Sequence, residues 1–190
     1  MIDGFESTDD GQFAVNNDWA TGSGQTWFSS ESIKVDAISF AFKAFDFDTN
    51  PDSWTATLYT GWGASTDITT GTVLWSESNL VPNGVHDAGE YVTFEFSAAE
   101  SDAIGVLAEG VEYGFVINGG RAPEDGFPYI LRKDTGGSNP YTNGSGIWAN
   151  DPTNTEDAYF AVQGTAVPEP SSAVLLLGAL SAASLVRRRG

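Results

Sequence analysis

Asp46, Asp48, Asn50 and Asp52 stand two residues apart in the stretch Asp46-Phe47-Asp48-Thr49-Asn50-Pro51-Asp52. Oxygen-bearing side chains at that spacing converge on a hard cation when the loop curls, and Ca²⁺ takes about six to eight oxygens. Pro51 sits where an EF-hand loop turns on Gly, and Thr57 where it ends in a bidentate Glu, so the segment is not an EF-hand. The competing reading is a solvated acidic turn between two strands, with Asp and Asn serving local hydrogen bonding.

A second group of residues suits sugar recognition. Trp62 lies between Gly61 and Gly63, and Trp148 lies near Tyr141 in a polar stretch rich in Gly and Asn. An indole or phenol held out of a loop is a stacking platform, whereas an inward indole caps one end of a core. Catalytic signals are sparse. Asp134-Thr135-Gly136 has the form of half an aspartic-protease site, but Arg132-Lys133 precedes it and no second copy follows, so it reads as a turn. Paired carboxylates for glycoside hydrolysis are defined by separation in space, and Glu124-Asp125 or Glu90 with Glu95 have no feature that singles them out. There is no nucleophile elbow, P-loop or His/Glu metal cluster. The absence of Cys removes thiolate chemistry, and the single His86 removes any site built on two imidazoles.

The elements that must position these residues are strands. Ile38, Phe40 and Phe42 alternate on one face, and the phase then shifts to Phe45 and Phe47, which predicts a bulge near Lys43-Ala44. Alternating runs follow at 54–60, 72–76, 91–96, 113–118, 129–132 and 158–162, with turns at Asn83-Gly84, Asn118-Gly119-Gly120 and Asn143-Gly144. Only 97–107 predicts a helix, opened by a capping box of Ser97 and Glu100 and shortened by Gly105 and Gly110. Eight or more short strands and one short helix predict an all-β chain, an antiparallel two-sheet sandwich of jelly-roll type. The 22 glycines, falling mostly between apolar runs, fit many tight turns.

Charge divides the chain. The formal net charge is −18. From Val167 onward only Glu169 opposes Arg187, Arg188 and Arg189, so residues 1–166 carry about −20. An acidic body of that kind repels phosphate, which excludes a nucleic-acid role. At Val167 the composition also changes. Val167-Pro168-Glu169-Pro170 is stiff and extended, because each Pro fixes its own φ and biases its predecessor. Residues 171–186 hold no charge and would span roughly 24 Å as a helix, short for a hydrocarbon core of about 30 Å. Snorkelling arginines and local thinning close that gap, and the positive-inside rule keeps the Arg cluster cytoplasmic with the acidic body outside. The expected domains are therefore 1–166, an acidic β-sandwich, and 167–190, a tail with one hydrophobic helix.

Pro168-Glu169-Pro170, the short apolar run and the terminal arginines together resemble the PEP-CTERM sorting signal of Gram-negative bacteria. The resemblance covers 167–190 and implies recognition by exosortase, a membrane protease-transpeptidase, in cells that make exopolysaccharide and biofilm. Such proteins begin with a secretory signal peptide, whereas Met1-Ile2-Asp3-Gly4-Phe5-Glu6 has neither basic nor apolar region. The expectation is a start that is truncated, trimmed or miscalled. A second resemblance spans 10–166. Gly24-Gln25-Thr26-Trp27-Phe28, Leu58-Tyr59, Val73-Leu74-Trp75-Ser76, Val92-Thr93-Phe94, Gly110-Val111-Glu112-Tyr113, Asn139-Pro140-Tyr141 and Ala158-Tyr159-Phe160-Ala161-Val162, in that order, look like the choice-of-anchor domains, jelly-roll-like modules found beside sorting tails. The leading expectation is a non-enzymatic, exported surface or matrix protein, anchored at the inner membrane before transfer outward. Its partners would be exosortase, the membrane and exopolysaccharide. The alternatives are a glycan-binding module using Trp62, Tyr141 or Trp148 with a structural Ca²⁺ at Asp46, Asp48, Asn50 and Asp52, and a glycoside-hydrolase-like enzyme.

Overall fold

A computed structural model describes residues 3–5, 13–14, 22–42, 45–46, 54–80, 85–86, 90–119, 130, 132–134, 141–148, 150–153 and 156–168. Its strands, in chain order, are β1 (Asp3–Phe5), β2 (Phe13–Ala14), β3 (Ser23–Phe28), β4 (Ile33–Ala41), β5 (Phe45–Asp46), β6 (Trp54–Thr60), β7 (Thr72–Leu80) and β8 (Val85–His86). Then come β9 (Tyr91–Glu95), helix α1 (Ala98–Ile104), β10 (Val106–Leu107), β11 (Glu112–Gly119), β12 (Arg132–Asp134), β13 (Gly146–Trp148), β14 (Asp151–Thr153), β15 (Glu156–Ala158) and β16 (Phe160–Ala166).

Two antiparallel sheets carry the fold. One runs β1-β16-β4, with β9 and β10 end to end along the far side of β4; the other runs β14-β13-β3-β11-β6-β7. Their inner faces follow from period-2 alternation. Trp54, Ala56 and Leu58 of β6, and Tyr113, Phe115 and Ile117 of β11, meet Ile38 and Phe40 of β4 and Phe160 and Val162 of β16 in one core. Phe40 stacks on Phe115 at 5.8 Å, and Trp27 packs against Phe160 at 6.0 Å. Burying each such aromatic contributes about 1.5–3 kcal/mol, which makes this layer the main source of stability.

The run at 54–60 forms β6 as the alternation predicts. Phe42 bridges to Ile130 just beyond β4, and the chain is next in a strand at β5. The bulge site itself, Lys43-Ala44, lies outside the described residues. Helix α1 begins with both halves of the expected capping box: Ser97 Oγ accepts from the Glu100 amide, and the Glu100 carboxylate accepts from the Ser97 amide at 2.8 Å. Asp134 closes strand β12 opposite Glu156; Thr135 and Gly136, where the turn is expected, lie outside the described residues.

Outside the core, the outer face of the six-stranded sheet is covered by the segment between β6 and β7. Gly61 and Gly63 take φ of 71° and 62°, bending the chain so that Trp62 and a 3-10 turn at Ile68–Thr70 fold back over the sheet. Trp62 and Ile68 bury against Tyr59, Val116 and Ile147, and the Ile68 amide donates to Asn150 at 2.9 Å. Gly114 permits the approach: a Cβ there would stand 2.2 Å from Ile68 Cδ1.

The chain leaves the sandwich through β16. Its last three pairings set Gly164, Thr165 and Ala166 against Val35, Lys34 and Ile33, beyond a register shift at Gln163–Gly164. The Val167 amide then donates to the Ser32 carbonyl at 2.7 Å, and Pro168 follows directly. Residues 169–190, where the hydrophobic helix is expected, lie outside the described residues. Among the described residues no helix is long and apolar enough to cross a membrane.

Candidate functional site

Where the two sheets part, the edge strands β7 and β9 leave a cleft of about 180 Å³ lined by Trp75, Glu77, Leu80, Val92, Phe94 and Glu95. Its geometry follows from the strand register. Trp75 pairs with Leu58 and Glu77 with Ala56, so both stand on the strand face that looks across to the other sheet. Register shifts on either side, between Val73 and Trp75 and between Ser78 and Leu80, add twist to this edge strand. From the opposite sheet Phe94, paired with Ile38, closes the back of the cleft.

Trp75 is held on three sides. Its ring stacks on Phe115 (6.1 Å, 15°), meets Phe96 edge-on (4.9 Å, 88°), and its Nε1–H donates to Glu100 Oε1 at 3.0 Å. Glu100 is fixed in turn by the helix cap, and the Ser97 hydroxyl, then the Trp75 indole, hold its carboxyl below the usual range. Glu77 has no such support: among the described residues nothing donates to its carboxylate. A carboxylate beside a fixed indole, with Leu80, Val92 and Phe94 around them, can accept from a ligand that presents both an apolar face and a donor.

The residues singled out for sugar stacking are placed differently. Trp62 is only 7% exposed, its indole packed over Gly114, and it borders a shallow recess with Val111 and Glu112. Burial raises the Glu112 carboxyl above its usual range. Tyr141 is half-buried, with its ring edge-on to Phe160 at 5.2 Å and its hydroxyl within reach of Asn143. Burial pushes the phenol up to about 12. Trp148 lies on β13, paired with Ser23; its side chain is outside the description. Of the candidate calcium ligands, Asp46 sits on β5 opposite Val85, while Asp48, Asn50 and Asp52 fall outside the described residues. Among the described residues no group of three or more His, Cys, Asp or Glu could hold a metal ion.

Beside Tyr141 is a buried polar cluster that the strand pattern did not reveal. Gln25 and Asp157 are both fully buried. Gln25 Nε2 donates to Asp157 Oδ1 at 2.8 Å, its Oε1 accepts from the Ala158 amide at 2.7 Å, and the Tyr141 amide donates to Asp157 Oδ2 at 2.9 Å. The cluster ties β3, β15 and the loop at 141–145 together, with Gln25 more than 130 residues from Asp157 and Ala158 in sequence.

At the other end, residues 166–189 match the family described as the PEP-CTERM protein-sorting motif. The match marks a chain carrying the signal by which exosortase sorts proteins to the cell surface. It begins at Ala166, the last residue of β16. No curated protein matches the chain, and no solved structure matches it.

Proposed function

We propose that this chain is a non-enzymatic surface or extracellular-matrix protein of a Gram-negative bacterium, delivered by an exosortase-like protease-transpeptidase and associated with exopolysaccharide. The observation that carries the reading is the sorting motif at 166–189, which starts where the last strand of the sandwich ends. In this reading residues 171–186 anchor the precursor in the inner membrane, and Arg187–Arg189 keep the end of the chain cytoplasmic. The acidic sandwich, of jelly-roll connectivity and choice-of-anchor type, stands outside. At about −20 it stays soluble and is kept off anionic lipid by like charge.

The test is fractionation of the native host after pulse labelling. The wild type moves from a full-length membrane species to a shorter surface or released species, and replacing Pro168, Glu169 and Pro170 by Ala arrests it at full length. Full-length protein free in the cytoplasm of wild-type cells overturns the reading.

A further inference from the structure

We propose that the seam between β7 and β9 binds an amino-sugar unit of a polysaccharide, with the apolar face of the ring against Trp75 and the ammonium group on Glu77. The inference rests on the surface reading above for its setting, and on the cleft for its chemistry. Alternation on β7 requires an apolar residue opposite Ala56, and Glu77 stands there instead, beside Leu80 and facing Val92 and Phe94. Among the described residues that carboxylate has no partner, while the neighbouring indole is held by Phe115, Phe96 and Glu100. A preset aromatic surface costs little ordering entropy when a ligand arrives.

The remaining surface of Trp75 borders the cleft, and about 180 Å³ suits a single ring. Sugars stack by their C–H face and present polar groups at the rim, which matches an indole floor with a carboxylate at its edge. Charge selects among them. An ammonium on Glu77 makes a charge-assisted bond, roughly twice as strong as a neutral one, and the indole face also attracts a cation. A uronic acid would meet Glu77, Glu95 and a body of about −20. A lysine side chain offers the charge without the flat apolar face.

The test uses the full chain in detergent micelles and calorimetric titration with a β-1,4-linked glucosamine hexamer, its N-acetylated counterpart and hexalysine. The amino hexamer should bind saturably, with the acetylated hexamer and hexalysine at least about tenfold weaker. Glu77→Gln, on an exposed carboxylate that supports nothing in the fold, should cost about tenfold, and Trp75→Phe should weaken binding less than Trp75→Ala. Equal binding of hexalysine would reduce the effect to diffuse charge and overturn the proposal, as would no binding at millimolar amino hexamer. So would E77Q binding undiminished while becoming a dimer, since Glu77 would then serve to keep the open edge from pairing with a second copy. None of these outcomes touches the sorting assay, whose failure is read separately in the cell.

Discussion

Replacing Gln25 by Leu tests whether the buried polar cluster holds the sandwich closed near Tyr141. The two side chains have similar volume, so little packing is lost. What changes is hydrogen bonding. The Ala158 amide loses its acceptor at 2.7 Å and Asp157 Oδ1 its donor at 2.8 Å, both fully buried. Leaving one buried polar group unmade costs about 1–3 kcal/mol, and more when the group is charged. The expected destabilisation is therefore about 3–5 kcal/mol, a large share of the roughly 5–15 kcal/mol a domain has in hand. Urea unfolding of the full chain in micelles, followed by tryptophan fluorescence and far-UV dichroism, measures it as a lower midpoint at unchanged slope. The double variant Gln25→Leu/Asp157→Leu adds a sharper criterion. With the Asp157 carboxylate also gone, its cost should fall below the sum of the two single changes by about 1–3 kcal/mol. A Q25L loss under about 1 kcal/mol, or strict additivity in the cycle, would refute the argument.

Three further outcomes follow from the same structure. Gly114→Ala places a methyl 2.2 Å from Ile68 Cδ1 and should cost about 1–3 kcal/mol, with Ile68→Val, which removes that carbon, restoring part of it in thermal unfolding. Tyr141 must stay neutral when folded, with its pKa raised to about 12 against about 10 unfolded. The unfolded chain therefore holds fewer protons between those values, and stability falls as pH rises from about 10 to 12. After discounting for the solvent-exposed part of the ring the loss is about 1–2 kcal/mol, and Tyr141→Phe should flatten the alkaline limb of a denaturation series. Glu100 is the opposite case: its folded pKa is lowered, so its contribution is complete above the unfolded value and is lost as pH falls through the folded one. Acid titration should release Trp75, seen as a fluorescence change that Ser97→Ala moves to higher pH.

What could be read from the chain was local. Trp54 to Thr60 alternates cleanly and becomes β6, and Ser97 with Glu100 closes its capping box, because both depend on neighbours within a few residues. Trp62 shows where local reasoning stops. Two flanking glycines are compatible with an exposed platform, yet here their positive φ turns the indole inward, and the decision rests on the sheet surface waiting at Val116 and Ile147. Glu77 and Phe94 become neighbours only because both β7 and β9 lie at edges, and Gln25 finds Asp157 across 132 residues. Neither pairing has a periodic signature. The sorting motif, by contrast, is a contiguous string and needs no fold to be legible.

The bond from Val167 to Ser32 gives the sorting signal no leash. From Val167 to Pro170 an extended chain reaches only about 10–14 Å, so whatever grips Pro168–Pro170 works against the rim of a folded body about three times as wide. Reach is adjustable in one step. The pairings beyond the register shift, Gly164 to Ala166, carry more exposed residues than Phe160–Val162, and releasing them adds roughly 10 Å of slack at the cost of baring the edge of β4 beside the buried Ile33 and Val35. The fraying of a single strand end thus sets how far the sandwich can stand back from its processing enzyme.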